Sequence, residues 1–77
     1  MHTIHDARYR KFIARLRDAR QALGMTQSQA CRTLGWSRVT LSNVETCERR
    51  LDLLEAYQLC LVYGLRMSDL EALLDDD

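Results

Sequence analysis

Seventy-seven residues, 47% of them apolar and none of them proline, are enough for one small globular domain and too few for two. No stretch approaches the ~20 apolar residues of a membrane-spanning helix, and no signal peptide is apparent before Asp18, so a cytoplasmic chain is expected. The formal net charge of zero conceals a division, because residues 1–50 carry ten Lys/Arg against four Asp/Glu while residues 51–77 carry one against seven.

The glycines, Gly24, Gly35 and Gly64, fall between periodic apolar segments, the pattern of an all-α chain that keeps glycine for helix ends. After an N-terminal extension over residues 1–5, residues 6–23 are predicted to form the first helix. Its apolar positions are Tyr9, Phe12, Ile13, Leu16, Ala19 and Leu23, and Arg8, Arg10, Lys11, Arg15 and Arg17 occupy much of the other face. Gly24 suits a left-handed cap. Thr26 is placed to cap a short second helix, Gln27 to Leu34, which Gly35 ends after two turns. Ser37 caps a third, from Arg38 to about Thr46. A fourth starts near Asp52, its N-cap candidate, and runs to Gly64. In the fifth, Ser68 and Glu71 have the spacing of a capping box. Leu70, Leu73 and Leu74 follow that start, before the acidic tail of residues 75–77.

The stretch from Thr26 to Val44 is the informative one. Two short helices joined by a tight turn need a small residue where they cross, a residue tolerant of positive φ in the turn, and apolar anchors on one face of the second helix. Cys31, Gly35 and the pair Leu41 and Val44 meet those needs, with Ala30 and Leu34 completing the inner face. This is helix-turn-helix spacing, in which the second helix enters the major groove of DNA. With Leu41 and Val44 turned inward, helical geometry turns Ser37, Arg38, Val39, Ser42 and Asn43 outward. The arginine fork suits guanine O6 and N7, valine a thymine methyl, and asparagine an adenine edge.

From about Leu16 to Leu74 the chain resembles the Xre family and the lambdoid phage repressors. The residues that carry the resemblance are Arg20, Gly24-Met25-Thr26-Gln27, Leu34-Gly35-Trp36-Ser37-Arg38, Leu41, Val44-Glu45 and Gly64. It implies a five-helix, lambda-repressor-like helix-turn-helix domain acting as a transcriptional regulator on double-stranded DNA. It also implies a structural salt bridge between Arg20 and Glu45, and base contacts from the start of the third helix and one turn later. Phosphate contacts fall to Gln27 at the start of the second helix, beside Thr26, with Thr40, Arg49 and Arg50 flanking. The chain departs from the family where Cys47 replaces a usual glycine, Leu51 a frequent proline, Cys31 and Cys60 the usual alanines, and Trp36 a usual valine.

The fourth helix has more apolar residues than one buried face requires. Leu53, Ala56, Leu59, Cys60 and Tyr63 fit a core stripe, while Leu54, Tyr57 and Leu61 form a second, with Val62 beside it. Either another element of the chain, such as the N-terminal extension, covers the second stripe or a partner subunit does. The expectation is a homodimer built on Leu54, Tyr57 and Leu61 with Leu70, Leu73 and Leu74, reading a palindromic operator as an autorepressor. The alternatives are an antitoxin that grips a toxin as well as DNA, and the controller of a restriction–modification operon.

No nucleophile–base pair, carboxylate dyad or phosphate loop is apparent, so no enzyme is expected. Three cysteines without close spacing or a nearby histidine read as free thiols in a reducing cytoplasm. No metal or cofactor is expected.

Overall fold

Local capping chemistry sets where each helix begins. In the computed structural model, which describes residues 5–74, the Asp6 carboxylate accepts the N–H groups of Arg8 (2.9 Å) and Tyr9 (3.1 Å) and starts helix α1, Ala7–Ala22. Thr26 starts α2, Gln27–Leu34, as half of a capping box. Its hydroxyl accepts Gln29 N–H at 3.1 Å, and the Gln29 carboxamide accepts Thr26 N–H at 2.8 Å. Ser37 caps α3, Arg38–Glu45, by accepting Thr40 N–H at 3.2 Å. Asp52 and Glu55 form a second capping box at the head of α4, Leu53–Tyr63.

The last helix, α5, is Met67–Glu71, followed by a 3-10 turn at Ala72–Leu74. The expected Ser68/Glu71 box does not form. The chain re-enters directly after α4, with Leu65 N–H returning to Cys60 O at 2.8 Å, so the helix begins before Ser68. Asp69 rather than Glu71 then occupies the third helical position and accepts Arg66 N–H at 2.8 Å. The chain is all-helical over the described residues. The N-terminal extension (apart from exposed His5) and the acidic tail lie outside them.

The core collects one side of each helix: Ile13, Leu16 and Ala19 of α1, Ala30 and Cys31 of α2, Leu41 and Val44 of α3, Leu59, Cys60 and Tyr63 of α4, and Leu70 of α5. Tyr9, Phe12 and Trp36 pack on its margin. Two apolar residues expected inside are outside. Leu23 follows the last residue of α1, where the helical spacing no longer carries it inward, and is exposed. Leu53 is the first helical residue of α4 and is 77% exposed, because the capping turn aims it away from the core.

At the crossing of α2 and α3, Cys31 is buried and its thiol donates to Ser37 O at 3.4 Å, so the small side chain also ties the turn to the helix before it. Burial pushes this thiol above its ordinary range. Gly35 sits at φ +75°, the left-handed conformation the turn requires. The three cysteines are unpaired and buried. No helix among the described residues is long and apolar enough to cross a membrane.

Candidate nucleic-acid interface

Helix α3 is held from beneath by Leu41 and Val44, both almost fully buried. Their burial fixes the rotation of the helix and turns Ser37, Arg38 and Val39 to solvent, with Ser42 and Asn43 half-buried beside them. Val39 is 69% exposed. An exposed β-branched residue beside an arginine makes a short ridge of mixed chemistry that contributes nothing to the core. Ser37 and Thr40 are partly occupied with each other, their hydroxyl oxygens 2.9 Å apart at the helix start.

A second restraint comes from the far end of α3. Arg20 donates from Nε to Glu45 Oε2 (2.7 Å) and from Nη2 to Oε1 (2.9 Å), and its Nη1 donates to Met25 O (2.7 Å). The two side chains are 10% and 8% exposed, so this bidentate pair lies largely out of water. Glu45 holds the Arg20 guanidinium in its charged form, pushing its pKa further up. The pair thus locks scaffold helix α1 to α3. Gln27, expected at phosphate, joins the same network by donating from Nε2 to Glu45 Oε1 at 2.9 Å. Its side chain is therefore committed inward, while the N–H groups of Gln27 and Ser28 have no intrahelical acceptor at the start of α2.

The loop from Thr46 to Asp52 brings Arg49 and Arg50 together around Tyr9. The Tyr9 hydroxyl accepts Leu51 N–H at 3.0 Å and donates to Arg49 O at 3.4 Å, while the Arg50 guanidinium lies over the Tyr9 ring, 4.9 Å from its centroid. Arg49 forms a bidentate pair with Glu55, at 3.3 Å from Nη1 and 2.8 Å from Nη2. That pairing, and then the Asp52 N–H bond, holds Glu55 below the usual carboxylate range. Arg10 and Arg17 line a pit of about 270 Å³ with Glu45 and Cys47, which places part of the basic face of α1 beside the end of α3.

Sequence reasoning missed Tyr9 and Glu55 as parts of this loop. The Asp52-x-x-Glu55 spacing was a readable capping signal, whereas nothing local links Tyr9 to Leu51, 42 positions away.

On α4, Leu54, Tyr57 and Leu61 are exposed, as is Leu74 beyond α5, and a groove of about 480 Å³ runs between Leu53, Leu54, Tyr57 and Met67. It adjoins a second apolar cavity of about 490 Å³, whose walls include Phe12, Leu51, Leu53 and Met67. Two of the expected interface residues do not share this surface. Leu70 is buried in the core of its own chain, because the early start of α5 turns it inward, and Leu73 is half-buried against that core.

Searches of curated proteins and of solved structures return no match to this chain. The helix-turn-helix family model matches residues 16–70, more than two thirds of the chain and all of the surface built on α2 and α3. With two short helices crossed at a left-handed glycine, and an outward ridge on the second, the chain belongs to the Xre and lambda-repressor-like helix-turn-helix family of DNA-binding transcription regulators.

Proposed function

We propose that the chain acts in the cytoplasm as a repressor that binds a palindromic operator as a homodimer, with α3 of each copy in the major groove. The observation that carries this reading is the ridge of Arg38 and exposed Val39 on a helix whose opposite face is buried. In the proposed complex Arg38 reads guanine, Val39 meets a thymine methyl and Asn43 pairs with adenine, with Ser37 and Ser42 alongside. The N-terminal N–H groups of α2 at Thr26 and Gln27, with Thr40, Arg49 and Arg50, contact the flanking phosphates.

Support for a dimer comes from the exposed set Leu54, Tyr57, Leu61 and Leu74, a large apolar surface for a chain this short. Two copies joined there present their recognition helices about 34 Å apart, to half-sites about ten base pairs apart. The second reading, an antitoxin, uses the same surface for an unlike chain. Sedimentation of the isolated protein separates them: a dimer at micromolar concentration favours the repressor, and a persistent monomer favours the unlike partner.

Selection of bound sites from a random duplex pool tests the base contacts. Arg38→Ala relaxes the preference at one position, losing about 1–3 kcal/mol of discrimination, whereas Arg49→Ala weakens all sequences alike and flattens the salt dependence. Identical behaviour of the two variants refutes the separation of reader from anchor.

A further inference from the structure

Arg49 carries an internal anion at the place where the proposed complex would need it to meet an external one. Its backbone is tied at two points. The N–H donates to Asn43 O at 3.1 Å, and the carbonyl accepts the Tyr9 hydroxyl at 3.4 Å. The first tie holds Arg49 beside the last turn of α3, the helix that enters the groove in the proposed complex, and so close to the path of the duplex there. The guanidinium is nonetheless occupied by Glu55, through two hydrogen bonds. The side chains are 40% and 21% exposed, so water and a phosphate oxygen can reach the pair.

Resting on the DNA-binding reading above, we infer that Glu55 competes with backbone phosphate for Arg49, and that docking exchanges this ion pair for an arginine–phosphate pair. Two features make the exchange feasible. An ion pair this exposed is weak and its partners separate readily. Glu55 also has a second anchor, since Oε1 accepts Asp52 N–H at 3.0 Å at the positive end of the α4 dipole. The carboxylate therefore keeps a stabilising neighbour after Arg49 leaves. Arg50 stands in contrast, held over the neutral ring of Tyr9. The consequence is a ceiling on sequence-independent affinity. Each docking event uncovers a carboxylate near the phosphate, which offsets part of the attraction won there and part of its salt dependence.

The test uses the full chain and a random-sequence duplex, because phosphate contacts do not depend on sequence. Glu55→Gln removes the charge and keeps an oxygen for Asp52 N–H. It is expected to bind about two- to fivefold tighter than wild type. Its plot of log affinity against log salt steepens, by a fraction of the roughly 0.9 that one complete phosphate contact gives. Arg49→Ala then costs more in the Glu55→Gln background than in wild type. Unchanged affinity and slope in Glu55→Gln, while wild type binds, overturn the exchange and leave the proposed function standing. Wild type that binds no duplex even at low salt overturns both. A carbon-detected NMR titration reads the same event in the unaltered protein, whether or not the variant folds. On adding duplex, the Glu55 carboxyl resonance moves toward its position in Arg49→Ala, and a resonance that stays put refutes the inference.

Discussion

Replacing Arg20 by methionine separates a structural role from a surface one. The substitution keeps the apolar stem and removes the guanidinium, leaving Glu45 8% exposed with Gln27 Nε2 as its remaining side-chain donor in the network and Met25 O without the Arg20 donor. Breaking a buried pair from one side costs about 3–5 kcal/mol, because the orphaned charge keeps its desolvation penalty. At roughly 0.05–0.15 kcal/mol per residue, a chain of this length holds about 4–12 kcal/mol in all. Arg20→Met is therefore expected to consume much of the stability or all of it. Urea unfolding followed by circular dichroism measures the loss. The double variant Arg20→Met/Glu45→Leu removes the stranded charge as well and should recover most of the stability. The unmet Met25 carbonyl remains and costs about 1 kcal/mol. A loss below about 1 kcal/mol in Arg20→Met, the scale of an exposed pair, refutes the reasoning. So does a double variant as unstable as the sum of its singles.

Cys47 adopts φ +62°, and Cys47→Gly should be close to neutral in thermal melts, since about 1–2 kcal/mol of relieved backbone strain offsets the lost buried side chain. Cys47→Val, β-branched at the same φ, should destabilise by about 2 kcal/mol or more. Tyr9→Phe removes the acceptor for Leu51 N–H and should cost about 1–2 kcal/mol while lowering duplex affinity, read by calorimetry and by the same titration. The Tyr63 hydroxyl is buried with no hydrogen-bond partner among the described residues, and burial first, then the Glu45 charge, pushes its pKa to about 12. The folded value lies above the unfolded 10.0, so the stability it contributes is whole below pH 10 and is lost as pH rises toward about 12. Tyr63→Phe should be neutral or stabilised at pH 7 and should unfold at higher pH than wild type, as followed by alkaline titration.

Legibility in this chain follows the range of the interaction. The caps at Thr26, Ser37 and Asp52 are contacts three residues long, and the bonds that make them form within those segments. The burial of Leu41 and Val44 follows equally from helical spacing, and so does the outward turn of Arg38 and Val39. At α5 two frames competed, Ser68 with Glu71 and Arg66 with Asp69. The turn after Gly64 decided between them, and it lies outside either frame. That choice also moved Leu70 from an expected partner surface into the core. Apolar periodicity identifies which positions share a face, and it is silent on whether that face meets its own chain or another. The join of Tyr9 to the α3–α4 loop had no local signal of any kind.

That loop explains why the family departures at Cys47 and Leu51 leave the architecture intact. A glycine after α3 serves to reach the left-handed conformation, and Cys47 reaches it at φ +62°. The strain is offset by burying the side chain in the core and by carrying Glu48 N–H and Arg49 N–H back to Asn43 O, at 2.9 and 3.1 Å. A proline at position 51 would stiffen the approach to α4 but would lack an N–H. Leucine supplies one, and Tyr9 accepts it. The stiffness lost from the backbone is replaced by a tether between the first helix and the loop. What the fold demands at these positions is a path of the chain from the recognition helix to the Asp52 cap. Different residues satisfy that demand when a distant side chain completes the bond, and here the same side chain also seats Arg50 and helps fix Arg49 at the edge of the proposed groove.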